Sequence, residues 1–89
     1  MATLDVDLVA PDRSIWSGKA KHITAPAADG EIGIRPGHTP VLATLRPGKV
    51  KIIPVAGESV EAEVLGGFLS VDDNVVTIVI DATKQELAN

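Results

Sequence analysis

Two histidines, His22 and His38, are the only side chains in this sequence whose ordinary titration range suits proton transfer near neutral pH. The nucleophiles around them are few: Ser14, Ser17, Ser59, Ser70 and six threonines, with no cysteine. There is no Gly-x-Ser-x-Gly elbow, and nothing in the order of residues places a serine beside a histidine, so a hydrolase triad is not expected. The histidines stand sixteen residues apart, far from the i, i+4 spacing of helical metal ligands, and two partly exposed imidazoles in sheet and turn are expected instead. Asp72-Asp73-Asn74 is too short for a calcium loop and lacks its glycine and later glutamate; it reads as an acidic turn. The glycines at 30, 33 and 37 do not form a dinucleotide fingerprint, and no phosphate-binding loop with a Gly-Lys-Ser/Thr end occurs. No catalytic residue, cofactor or metal is expected.

Composition narrows the partners. Eight basic against twelve acidic residues give a net charge of −4, and aromatics are 2% of the chain, namely Trp16 and Phe68. Neither a phosphate-reading surface nor a base-stacking platform is encoded, so nucleic acid is not an expected partner. The bases Arg13, Lys19, Lys21, Arg35, Arg46, Lys49, Lys51 and Lys84 form no run and read as solvated strand faces. The absence of cysteine removes disulfides, thiolate zinc and a catalytic thiol together. No stretch approaches the roughly 20 apolar residues of a membrane helix, and the acidic start is unlike a signal peptide.

The elements that must position these residues are strands. Val, Ile and Thr make up 25 of the 89 residues, and eight Gly and six Pro punctuate them. Leu4, Val6 and Leu8 alternate with Asp5 and Asp7, Val50 and Ile52 with Lys49 and Lys51, and Val60, Ala62 and Val64 with Glu61 and Glu63. Each pattern is a strand with one wet side. Val75–Ile80 is apolar almost throughout and reads as a central strand covered on both faces. Turns are expected at Pro11-Asp12, at Ser17-Gly18 closing an irregular piece around Trp16, and at Asp29-Gly30 with positive φ values. Pro36-Gly37 and Pro47-Gly48 suit type II turns, while Ala56-Gly57 and Asp72-Asp73-Asn74 join further strands. The fold class is therefore all-β, a sandwich or barrel of short strands. Its core should draw on Val6, Leu8, Ile23, Ile32, Ile34, Val50, Ile52, Val64, Leu69, Val71, Ile78 and Ile80, with Trp16 over one end.

One segment is denser in unusual residues than a sandwich corner requires. Gly30-Glu31-Ile32-Gly33-Ile34-Arg35-Pro36-Gly37-His38-Thr39-Pro40-Val41-Leu42 holds three glycines, two prolines, a histidine and a glutamate. Gly33 within a strand pattern signals a bulge or a close backbone approach, and Pro36 to Pro40 is a stiff connector suited to an edge or loop. With Ile15-Trp16-Ser17-Gly18 before it and Gly66-Gly67-Phe68-Leu69-Ser70-Val71 after it, this segment resembles the epsilon subunit of bacterial and chloroplast F-type ATP synthases, in its N-terminal β-sandwich domain.

The resemblance implies a flattened two-sheet β-sandwich of about eight to ten short strands spanning 1–82, with a short tail at 83–89, acting as a non-catalytic subunit of the central stalk that docks the gamma subunit onto the c-ring and couples proton flow to ATP synthesis. By the same resemblance, Ala28, Asp29, Gly30, Glu31 and Ile32 match the loop facing the polar loops of the c-ring, where Glu31 would pair with a basic group. His38, Thr39, Pro40, Val41 and Leu42 match the gamma-facing part, with Val41 and Leu42 equally suited to core or interface. The alpha–beta catalytic head would be an indirect partner. The implied location is peripheral, on the cytoplasmic face of a bacterial membrane, or the stromal face of the thylakoid in a chloroplast, with no direct insertion. Family members usually continue into two regulatory helices; the C-terminal helical domain is absent from this sequence, so helix-mediated inhibition is not expected of it. The competing readings are a biotinyl or lipoyl carrier sandwich, for which none of Lys49, Lys51 and Lys84 sits on a suitable hairpin tip, and a generic interaction domain.

Overall fold

The computed structural model describes residues 2–81. They form β1 (Leu4–Ala10), β2 (Arg13–Ala27), β3 (Gly30–Ile34), β4 (Val41–Leu45), β5 (Gly48–Pro54), β6 (Val60–Val64), β7 (Gly67–Asp72) and β8 (Val75–Ile80), with no helix among the described residues. The expected tail at 83–89 lies outside them.

Period-two patterning decides which way each strand faces. In β1, Leu4, Val6, Leu8 and Ala10 are buried while Asp5 and Asp7 are exposed. Eleven of the twelve expected core residues are buried; Ile32 is the exception, only half-buried and packed against the core from β3. The core also takes in Leu4, Leu45, Val76 and the alanines 10, 20 and 25, small side chains that let the two layers approach closely. The Cα extents of 40 × 29 × 19 Å match two packed sheets in the shortest dimension.

Hydrogen bonding follows the order β1-β8-β7-β4-β2-β5-β6, with β3 on β2. A further pairing of β1 with β2 closes the strands β1, β8, β7, β4 and β2 into a ring. β1 runs parallel to β8, so the first and last strands of the described chain are neighbours. β2 links the layers. Its first half pairs with β1, and a register irregularity between Ala20 and His22 turns its second half toward β3 and β5.

Several local expectations are corrected. Ile15-Trp16-Ser17-Gly18 is strand, not an irregular piece with a turn, because Trp16, Ser17 and Gly18 pair with Leu8, Asp7 and Val6. Trp16 is half-buried against the core, and its ring lies over Gly18, where a Cβ would stand 3.0 Å from it. Gly48 begins β5 with no positive φ; what it supplies is space, since a Cβ there would lie 2.8 Å from Pro26 Cβ. At the β2–β3 hairpin only Gly30 has positive φ, at 133°, and Asp29 does not. Gly33 pairs regularly with Thr24 and makes no bulge; its close approach is to the His22 ring. The largest correction is β8. Val76, Ile78 and Ile80 are buried, but Val75 and Val79 are 50% and 40% exposed, so its second face is uncovered among the described residues.

Candidate docking site

The segment Ala28–Ile32 forms the tip of the β2–β3 hairpin and the start of β3, an edge strand whose partner is β2. The tip is anchored by two backbone bonds to the end of β4: Ala28 N–H donates to Thr44 O at 3.0 Å, and Arg46 N–H donates to Pro26 O at 2.9 Å. Glu31 is exposed on β3, opposite Pro26. β4 meets β2 at Leu45 but pairs with β7 along Val41–Leu45, and this divergence from β2 opens a hollow of about 490 Å³. Ala28, Ile32, Val41 and Ala43 line it, with Asp29 and Glu31 also contributing. Two segments expected to serve different partners therefore meet at one end of the sandwich.

His38, Thr39 and Pro40 stand apart from that hollow, toward the turn between β7 and β8. His38 N–H donates to Arg35 O at 3.1 Å across a turn with Pro36 and Gly37 at its centre, and Gly37 has φ 88°, as a type II turn requires. The His38 ring bonds through Nδ1 to Thr39 O at 2.7 Å; because the carbonyl can only accept, Nδ1 carries the proton. Asn74 holds this connector in place. It has φ 64°, follows Asp73 at φ 50° in the two-residue β7–β8 turn, and its Oδ1 accepts from Gly37 N–H at 2.7 Å. The sequence reading treated 72–74 as a plain acidic turn and missed this bond, which only the tertiary fold brings about.

Val41 and Leu42 take opposite sides of β4: Val41 is half-buried against the core, whereas Leu42 is 73% exposed. Leu42 belongs to an uncovered apolar face. Val9, Val79, Phe68 and Thr44 form one cross-strand row over β1, β8, β7 and β4, and Asp7, Thr77, Ser70 and Leu42 form the next. Phe68, Val75 and Val79 are each at least 40% exposed here. Asp5, Val75 and Asp72 make a third row, so the face is apolar at one end and acidic at the other. Phe68, Val75 and Val79 were not among the expected contact residues. The doubly apolar run of β8 was the available signal, read as burial on both faces within the chain.

The opposite outer face differs. On β5 and β6, Lys49 approaches Glu61 at 3.2 Å and Lys51 the same carboxylate at 3.9 Å. Such exposed pairs contribute little to stability, about 0.2–1 kcal/mol, but they make the face polar and self-satisfied. Among the described residues no three His, Cys, Asp or Glu side chains gather as metal ligands would. The arrangement is suited to adhesion between surfaces.

Comparison with known proteins agrees with this geometry. Residues 3–86 match the family described as ATP synthase, Delta/Epsilon chain, beta-sandwich domain. An ATP synthase epsilon chain of Micrococcus luteus is 47% identical over 89 residues, all of this chain and 96% of that protein. One of Bordetella petrii is 46% identical over 81 residues, 91% of this chain but 57% of the relative, so the chain spans little more than half of that longer protein. A chain in the cryo-EM structure of the Euglena gracilis mitochondrial ATP synthase, OSCP/F1/c-ring, is 27% identical, with TM-score 0.85 over 93% of this chain and 53% of its own length. A chain of the Tetrahymena thermophila mitochondrial ATP synthase central stalk and c-ring shares the fold, with TM-score 0.78 over 90% of this chain and 64% of its own length. With the family match covering residues 3–86 and a relative 47% identical over the whole chain, the chain belongs to the ATP synthase delta/epsilon β-sandwich family.

Proposed function

We propose that this chain is an epsilon-type, non-catalytic subunit of the central stalk of a proton-translocating ATP synthase, docking the gamma subunit onto the c-ring. The carrying observation is the uncovered face on which Phe68 pairs directly with Val79 and Leu42, 73% exposed, stands diagonal to Phe68 in the next row. Exposed aromatic and aliphatic side chains in register on a flat sheet form the apolar centre that a lasting protein interface buries. Gamma covers this face, with His38, Thr39 and Pro40 at its margin. The hairpin tip Ala28–Ile32 faces the polar loops of the ring, and Asp29 and Glu31 meet basic groups there. The whole sandwich then turns with both partners, at the cytoplasmic face of a bacterial membrane or the stromal face of a thylakoid, and reaches the alpha–beta head indirectly.

Glu31→Lys tests the ring-facing half of the reading. The residue is exposed, so the isolated chain should keep its stability within about 0.5 kcal/mol. In reconstituted vesicles the same change should weaken the coupling of proton flow to ATP synthesis. Coupling as tight as that of the unaltered chain would remove Glu31 from the ring contact.

A further inference from the structure

The geometry points to a second site, on the face of β2 and β3 away from the apolar surface: a hollow built to bind a phosphate-type oxyanion between His22, Arg35 and His38. Three features of the backbone bring these side chains together. Ile23 pairs with Ile34, so the next step along the hairpin sets His22 opposite Arg35 on the outer side. The turn closed by His38 N–H on Arg35 O then places His38 at the far corner from Arg35. Gly33, two residues before Arg35 on the same side, leaves the floor open, since a Cβ there would stand 3.4 Å from His22 Nε2. The result is a hollow of about 440 Å³ lined by these four residues with Pro36 and Gly37.

Its lining contains three basic side chains and no carboxylate. The connector is fixed from behind by Asn74, which accepts from Gly37 N–H, so that amide is already used and the donors to a ligand must be side chains. Arg35 offers a permanent charge and a planar fork suited to two oxygens of a tetrahedral anion. With Nδ1 of His38 committed to Thr39 O, the neutral ring presents a lone pair at Nε2, and only protonation turns that atom into a donor. Anion binding at His38 therefore takes up a proton. The outer face shared by β2, β3, β5 and β6 also carries Glu31 on β3, Lys49 and Lys51 on β5, and Glu61 and Glu63 on β6. Arg35 faces His22 from β3, and Lys51 lies on the same side of β5, since it pairs with Thr24. Asp72 and Asp73 line the hollow on the other side of His38. This inference does not depend on the chain's place in a rotary assembly.

The test uses the full chain and inorganic sulfate, which stays divalent across the pH range, with chloride of equal ionic strength as the control. Imidazole resonances of His22 and His38 should shift as sulfate is added, and binding should tighten as the pH is lowered, because protonation makes His38 Nε2 a donor. Arg35→Gln should weaken binding roughly tenfold by removing the permanent charge. Gly33→Ala should weaken it by filling the floor, while circular dichroism stays that of the unaltered chain. Phosphate then takes the place of sulfate, and vesicles of phosphatidylglycerol are compared with phosphatidylcholine. Binding of free phosphate alone assigns a soluble oxyanion, and binding of anionic vesicles that is lost in Arg35→Gln assigns a headgroup. Sulfate shifts no larger than those with chloride, or shifts unchanged in both Arg35→Gln and Gly33→Ala, would overturn the site.

Discussion

At Gly67 the backbone has φ 143°, and a Cβ built there would overlap the carbonyl oxygen of Val79 and stand 2.8 Å from Cα of Ile80. Gly30 has nearly the same φ, 133°, yet nothing lies within 4 Å of the position its Cβ would take. The pair separates two costs that a glycine can hide. At Gly30 a side chain meets only backbone strain, about 1–3 kcal/mol. At Gly67 it must also push β8 away from β7 at the point where Gly67 pairs with Ile80, itself fully buried. Gly67→Ala should therefore lower stability by more than Gly30→Ala, with a loss above about 4 kcal/mol marking it as exceptional for a single change. Thermal unfolding of the two variants checks the order, and equal melting temperatures would mean that β8 yields without strain. Gly30 was visible in the sequence as part of the Asp29-Gly30 turn signal, and Gly67 as part of the segment Gly66-Gly67-Phe68-Leu69-Ser70-Val71. The difference between them was not, because it lies in a strand that follows Gly67 by a dozen residues.

Between neighbouring residues of one strand, the pleat sets opposite fates. Leu69 is fully buried and Phe68 is 53% exposed, although in sequence both are large and apolar. Leu69→Ala should cost about 2–5 kcal/mol through lost burial and the cavity left behind. Phe68→Asp should change the isolated chain by only about 0.5 kcal/mol. On the proposed gamma interface the effects reverse in kind: Phe68→Asp should reduce retention by gamma roughly tenfold or more, as loss of an aromatic anchor does. Pull-down with gamma, run beside denaturant unfolding, measures both; a Phe68→Asp chain that binds gamma normally would remove this face from the interface. The alternating strands β1, β5 and β6 were legible because one side of each is charged, and Asp5, Lys49, Lys51 and Glu61 marked the wet side directly. β8 was misread because its wet side is also apolar. A sequence records that both sides of Val75–Ile80 avoid water, but not whether the cover is this chain or another. The candidate site was legible as a dense segment from Gly30 to Leu42, whereas its extension to Phe68 and Val79 and its staple at Asn74 depend on the pairing of β4 with β7 and of the connector with the β7–β8 turn.

For the molecule as a whole, the decisive feature is that its ends close a ring. β1 lies between β2 and β8, with Leu8 fully buried opposite Ile78, also fully buried. Terminal strands of a small domain ordinarily exchange their amide protons early, because the ends open locally at little cost. Here, releasing β1 breaks two ladders and exposes Leu4, Val6 and Leu8, the same core that every other strand covers. Local opening of β1 is then nearly as costly as unfolding the domain. β3 and β6 are different: among the described residues each has one partner strand and a free edge. Native-state hydrogen exchange should place the bonded amides of β1, β2 and β8 in the slowest class, governed by global unfolding. Those of β3 and β6 should exchange roughly tenfold faster or more through local opening. In the proposed role, a body that passes torque between two partners needs this division, with a closed frame bearing the load and an adaptable edge at the tip proposed to meet the c-ring. If β1 amides exchange as fast as those of β3, the ring is not a mechanical unit, and rigidity would have to come from gamma bound across the apolar face.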